Sequence, residues 1–97
     1  MPAYALIDVH VHDIGRYMEY LHEFRPLLEA SGGRYLVRGG SFKVLQGDYH
    51  PTRLVIVEFP SMDVLDELYQ SHTYRELSER YADSAQAQVV AVEGLGG

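Results

Sequence analysis

The chain has no cysteine, which excludes a disulfide framework and any thiolate chemistry. It has one lysine, Lys43; the other cations are arginines, scattered along the chain instead of gathered in a run. With a formal net charge of −6, most of the surface repels phosphate backbones and anionic lipid, so neither nucleic acid nor a membrane surface is expected as a partner. Long apolar runs are also missing. Leu54 to Val57 and Val89 to Val92 are among the longest, far short of the ~18 residues that span a bilayer. Met1 to Leu6 lacks the basic start and extended apolar run of a secretory signal, and a cytoplasmic location is the expectation.

What is present suits an ordinary folded protein: 97 residues, enough for one core and one domain over residues 1–97, with 46% hydrophobic residues and eight tyrosines. From Tyr4 to His12 the side chains alternate. Ala5, Ile7, Val9 and Val11 make one apolar face, and Tyr4, Leu6, Asp8, His10 and His12 the other, the period of a strand with unlike sides. Asp13 is placed to cap a helix whose Tyr17, Tyr20, Leu21, Phe24, Leu27 and Leu28 follow a three-and-four spacing, with Pro26 expected to kink it. Gly32 and Gly33 end that helix, and Arg34 to Arg38 reads as a second strand.

Gly39 and Gly40 interrupt that strand, predicting a bulge or hairpin there, and Ser41 to Gln46 either continues the sheet or forms an extended arm. Arg53 to Phe59 is a strand dense in Val and Ile, closed by Pro60. Ser61 and Ser71 cap two helical segments, with Val64, Leu65, Leu68 and Tyr69 buried on one and Tyr74, Leu77 and Tyr81 on the other. A last strand runs from Gln86 to Glu93, before a loose tail of Gly94, Gly96 and Gly97. The order is strand, helix, strand, strand, helix, strand. This is the split pattern of an α+β, ferredoxin-like fold with an antiparallel sheet and helices on one side. Its other side, including Leu54 and Ile56, is left bare, and a second copy of the chain is the expected cover, giving a homodimer.

The stretch Gly32-Gly33-Arg34-Tyr35-Leu36-Val37-Arg38-Gly39-Gly40, followed by Arg53-Leu54-Val55-Ile56-Val57-Glu58-Phe59-Pro60-Ser61, resembles the small bacterial family called domain of unknown function 1330. Ser71, Tyr74 and Arg80 fit the same resemblance, which covers essentially the whole chain. It implies a dimeric α/β-barrel, two ferredoxin-like subunits packed sheet against sheet. Cofactor-free monooxygenases, muconolactone isomerase-like enzymes and haem-dependent proteins share that architecture, and a shared fold does not transfer a reaction. His10 and His12 are outside the motif.

The residues themselves suggest several sites. Asp8, His10 and His12 project from one strand face, and a His-x-His pair stands roughly 7 Å apart at the backbone, close enough to meet on one ion. Asp8 and His12 lie roughly 13 Å apart, however, and no third ligand is identified, so polar strand or interface histidines are the commoner reading and no metal is assigned. Arg38 and Glu58 each end a strand, and alternation can place both on the same sheet face. There Arg38 would hold an anion and Glu58 accept a proton, with His10 as a third catalytic candidate; a structural ion pair is the competing reading. Gly39 and Gly40 could offer backbone N–H groups to an anion, although a glycine pair is more often a turn.

Tyr17, Tyr35, Tyr69 and Tyr74 are candidates for an aromatic wall between sheet and helices, with Asp8 and Arg80 as further ligand-binding candidates. Ser41, Ser61 and Ser71 have no nearby base in a nucleophile motif, and no hydrolytic triad is expected. Two functions follow. One is a homodimer that binds or transforms a small polar or acidic molecule without a cofactor, oxygenase-like or isomerase-like if it is an enzyme. The other is a binding or structural module without catalysis, whose polar strand residues complete the dimer interface.

Overall fold

The computed structural model describes residues 1–95. Strand β1, Ala3–Val11, has the expected alternation, with Ala3, Ala5 and Val9 buried and Leu6 and His10 exposed. The Asp13 carboxylate then accepts from the Arg16 N–H at 3.1 Å, capping helix α1, Ile14–Ala30. Tyr17, Phe24 and Leu28 form its buried stripe, and the helix continues through Pro26 to Ala30. After Ser31, Gly32 takes φ +78°, a left-handed conformation that costs glycine least and reverses the chain into strand β2, Arg34–Arg38.

Strand β2 pairs antiparallel with β3, Leu54–Phe59, through an irregular register: Tyr35 faces Val57, whereas Val37 faces Ile56. The extra residue, Leu36, makes a β-bulge inside β2, while at Gly39 and Gly40, where a bulge or hairpin was expected, the strand ends and the chain returns as antiparallel β3. Residues 39–53 contain no strand, so Ser41 to Gln46 belongs to an arm instead of continuing the sheet. Ser61 caps helix α2, Met62–Gln70, by accepting from the Val64 N–H at 3.2 Å; Ser71 caps helix α3, His72–Arg80, by accepting from Tyr74 at 3.1 Å. Strand β4, Ala85–Glu93, completes the sheet; Gly96 and Gly97 of the expected tail lie outside the described residues.

The sheet order is β2-β3-β1-β4 with every neighbour antiparallel, a ferredoxin-like α+β arrangement. On the helix side, Val9, Val57 and Phe59 of the sheet and Leu28 of α1 are the largest fully buried side chains. Burial of each such side chain contributes about 1.5–3 kcal/mol, which fixes the helices on this side. The opposite side carries Leu6, Ile56 and Val90 side by side in register, with Leu6 40% and Val90 61% exposed. Among the described residues no helix is long and apolar enough to cross a membrane.

Candidate functional site

A cavity of about 330 Å³ lies between helices and sheet, and its wall includes Tyr17, Tyr20, Tyr35, Tyr69, Tyr74 and Tyr81, six of the eight tyrosines. Helical spacing builds one wall. Tyr17 and Tyr20 stack at 6.0 Å between ring centroids, and Tyr20 stacks on Phe24 at 5.8 Å. Tyr69, near the end of α2, meets Tyr74 of α3 edge to face at 4.7 Å, because the Ser71 cap turns the chain between them. The hydroxyls of Tyr20 and Tyr74 approach to 3.5 Å across the helices. Ile7, Val9 and Val55 supply the floor, and Ala85 and Ala87 of β4 occupy little of the space that larger side chains would fill.

The cavity ends at a polar corner. Buried Ser84 accepts at its carbonyl from the N–H groups of His12 and Asp13, at 2.8 and 3.0 Å, fastening the start of α1 to the start of β4. Arg16 reinforces the join by donating to Asp83 at 3.1 Å and to the Arg80 carbonyl at 2.6 Å, with its guanidinium 4.8 Å from the centre of the Tyr81 ring. The Tyr81 hydroxyl donates to Glu23, and Arg80 donates to the same carboxylate at 2.7 Å. The Tyr81 bond, with help from Arg80, holds the Glu23 carboxyl below its usual range.

Burial pushes the phenols of Tyr17, Tyr20, Tyr35 and Tyr69 above their ordinary value, most strongly at Tyr20, where the neighbouring tyrosines add to the effect. They therefore remain protonated and act as hydrogen-bond donors. At Tyr17 the upward push is partly offset by the charge and hydrogen bonding of Arg53, and at Tyr35 by the charges of Arg38 and Arg25. Among the described residues no carboxylate, imidazole or cationic group lines the wall; its polar side chains are the phenols, Ser78 and Ser84. Such a surface is aromatic and apolar, with phenol hydroxyls as its hydrogen-bond donors.

The sheet divides the sequence candidates into two groups. Tyr17, Tyr35, Tyr69 and Tyr74 share the cavity wall. Asp8, His10 and Glu58 belong to the opposite, open face, in register with Leu54, Gln86 and Tyr4 respectively. Arg38 and Glu58 do not share a face. The bulge at Leu36 shifts the alternation by one residue, so Arg38 lies opposite buried Val55, while Arg34 lies opposite Glu58 and donates to it at 2.8 Å. Arg38 instead covers the Tyr35 ring, 5.3 Å from its centre, and lines a second, more open depression with Arg25 and Glu29. Arg80 is engaged by Glu23 on the outer surface instead of reaching the cleft.

Asp8 fastens the arm. Its carboxylate accepts from the Tyr49 hydroxyl at 2.6 Å and from the N–H groups of Thr52 and Arg53 at 2.9 and 3.3 Å. These bonds, the Tyr49 one first, hold its carboxyl below the ordinary value. His10 and His12 are exposed, with ring centroids 4.9 Å apart, and among the described residues no cluster of three His, Asp or Glu groups is placed to hold a metal. Gly39 takes φ +70° and lies against the Arg53 guanidinium, whereas a Cβ on Gly40 would meet nothing within 4 Å. Tyr20, Tyr81 and Arg53 were not among the sequence candidates. The signals existed: Tyr20 and Tyr81 are on the apolar stripes, and alternation puts Arg53 in phase with Val55, Val57 and Phe59.

The fold recurs in solved structures. The chain is similar to a protein of unknown function from Rhodopseudomonas palustris at 22% identity and a TM-score of 0.75, covering 99% of this chain and 84% of that one. It is also similar to a dimeric ferredoxin-like protein of unknown function from Jannaschia sp. CCS1, at 15% identity, TM-score 0.68 and coverages of 97% and 100%. A third is SnoaB, a cofactor-independent oxygenase from Streptomyces nogalater, at 7% identity, TM-score 0.64 and coverages of 99% and 95%. At these identities the likeness concerns the fold alone. No curated protein matches the chain. A family profile spans nearly all of it, residues 2–95, and on that match the chain belongs to the family described as domain of unknown function, DUF1330.

Proposed function

We propose that the chain is a cytoplasmic homodimer that binds a small molecule in the tyrosine-walled cavity, the two copies meeting through the open sheet face. The observation that carries the ligand reading is the cavity itself. Its volume of about 330 Å³ is enough for a compact ring system, and its phenols include the facing Tyr20 and Tyr74 hydroxyls. If the bound molecule reacts, the wall contributes donors aimed at an oxygen that gains negative charge, the kind of stabilisation an oxygenase or isomerase of this fold can use without a resident cofactor. SnoaB, a cofactor-independent oxygenase, has the same fold and is the precedent for that chemistry. Arg38 supports the pocket from behind Tyr35, and Arg80 holds Tyr81 in place through Glu23.

The dimer reading rests on the row of Leu6, Ile56 and Val90, and on the dimeric relative from Jannaschia. Asp8, His10 and Glu58 then belong to the interface and not to the cavity. Native mass spectrometry of untagged protein tests both parts together: a dimer carrying a retained organic molecule is expected. Leu6→Asp places a charge in the middle of the apolar row and should raise the dimer dissociation constant by about 100-fold or more by sedimentation, since each 1.4 kcal/mol is a factor of ten. Tyr74→Phe should weaken the retained molecule and leave dimerisation unchanged. A monomeric parent protein would overturn the assembly, and a ligand displaced by Leu6→Asp but not by Tyr74→Phe would favour the interface as the binding place.

A further inference from the structure

We infer that the arm between β2 and β3 is an interface element between two copies of the chain: residues 41–46 of one copy lie along the free edge of β4 in the second copy and add a strand to its sheet. This rests on the dimer reading above and adds to it the segments that the two copies exchange. The arm is the least supported part of the fold. Over residues 40–51 no backbone group bonds to another backbone group among the described residues, and Phe42, Val44 and Leu45 are 47%, 36% and 85% exposed. Only its base is held, by the Gly39 N–H on the Leu54 carbonyl at 2.8 Å and by the Tyr49 hydroxyl on Asp8. Asp8 projects from the open face of the sheet, so this tether brings the arm to the side where the second copy is expected.

Strand β4 is the other unpartnered element. It is an edge strand in unbroken register with β1, from Ala3 opposite Glu93 to Val11 opposite Ala85, and it contains no lysine, proline or bulge, the devices that keep an exposed edge from pairing. Val89, on the helix side, and Val90 and Val92, on the open side, are 41%, 61% and 45% exposed, so the strand is bare on both faces. The hydrogen bonds at its two ends show which of its backbone groups are free. Gly94 donates to Pro2 and His12 donates to Ser84, so the even-numbered residues of β4 bond to β1, while Ala87, Val89 and Ala91 turn their N–H and carbonyl groups to the empty edge.

An extended segment without a ladder and an edge without a strand satisfy each other, and an apolar side chain at every second position, as at Phe42 and Val44, suits a pleated surface. The arm does not meet the edge of its own chain, because it leaves the sheet from β2, and β3 and β1 lie between β2 and β4. A second copy supplies the edge, and two-fold symmetry lets each copy give one arm and receive one. Area favours the same occupant. Four strands at ~4.8 Å spacing and about seven residues in mean length make an open face of roughly 450 Å² in plan, short of the roughly 800 Å² per partner in a stable interface, and the arm is the nearest apolar surface that extends it.

The test is residue-resolved amide exchange on the intact protein above and below its dimer dissociation constant, with sedimentation of variants. In the dimer the outward amides of Ala87, Val89 and Ala91 and those of residues 41–46 should exchange about 100-fold or more slowly than in the monomer, although none has a partner within its own chain. Phe42→Ser combined with Leu45→Ser should raise the dimer dissociation constant by about 100-fold, about ten-fold for each side chain. Ala91→Pro removes one outward N–H, leaves the bonds to β1 in place and should raise it by about ten-fold. A dimer in which these amides exchange freely would overturn the arm's role and leave the open-face dimer standing. Protection of the β4 amides with no effect of the arm substitutions would also overturn it, since the edge would then pair with a different segment, such as β4 of the second copy. If the intact protein is a monomer at every concentration, the dimer reading fails and this inference with it. Exchange in the intact protein decides the matter even if a variant does not fold.

Discussion

The two faces of one sheet are made from the same strands, yet they differ in what holds them. On the helix side Ala3, Ala5, Val55, Val57 and Phe59 are no more than 5% exposed, and polar groups near them are tyrosine hydroxyls or the Arg53 guanidinium. On the open side apolar Leu6 and Val90 alternate with charge, as in the Arg34 and Glu58 pair and the Asp8 anchor for the arm. A residue one position along a strand thus passes from the core to the open face. The first face stabilises the fold and encloses a cavity, while the second leaves apolar Leu6 and Val90 exposed.

Substitution at equivalent depths on the two faces should give the largest contrast. Phe59→Ala removes a ring that is 1% exposed and should cost about 3–5 kcal/mol, a large part of the stability of a domain this size. Leu6→Ala should cost about 0.5 kcal/mol or less in the monomer, because its neighbours there include water. Chemical denaturation at several protein concentrations measures both; equal losses at low concentration would show that the faces are not distinct in the way described.

Alkaline titration sharpens the contrast on the helix side. The phenols of Tyr17, Tyr20, Tyr35 and Tyr69 are raised in the folded protein above their ordinary value of 10.0. Their contribution to stability is therefore full below that value and is lost progressively as the pH rises past it. The phenolate absorbance of these residues should appear together with unfolding. Gradual ionisation in a protein that keeps its helical circular dichroism would mean the cavity is open to water.

Acid titration reports on the open side and should have the smallest effect. Asp8 is held below 3.8 by the Tyr49 hydroxyl and, after it, the Thr52 N–H, so the arm is fastened above that value and released as the pH falls through the lower folded one. Tyr49 ring resonances and amide exchange over residues 39–53 should change first, before the core opens. Asp8→Asn should loosen the arm at neutral pH and leave the cavity tyrosines undisturbed. An arm that stays ordered in that variant would show that Asp8 is not its anchor.

Much of the fold was legible because its signals are local. Asp13, Ser61 and Ser71 cap where a short oxygen-bearing side chain precedes an apolar stripe, and β1 alternates with period two along its whole length. Four of the six wall tyrosines were legible, Tyr17, Tyr69 and Tyr74 from helical stripes and Tyr35 from a strand, while Tyr20 and Tyr81 sat on the same stripes and read as core. The pairing of Arg38 with Glu58 was not. Alternation counts residues, and one extra residue at Leu36 inverts every count beyond it, exchanging Arg38 for Arg34 beside Glu58. Arg80 was equally ambiguous, because its partner Glu23 is 57 residues away on another helix.

By itself the sequence determined the order of elements, their caps, the buried stripes and the family, all of which depend on spacing within a turn or a few strand residues. Only the tertiary structure decided which of these residues meet. It gathered tyrosines from three helices and one strand around one cavity, and set Asp8, His10 and Glu58 behind the sheet from them. The physical reason is that contact across the fold is fixed by register and packing between distant segments, and a single bulge or a single glycine's missing Cβ is enough to choose between arrangements whose local patterns are the same.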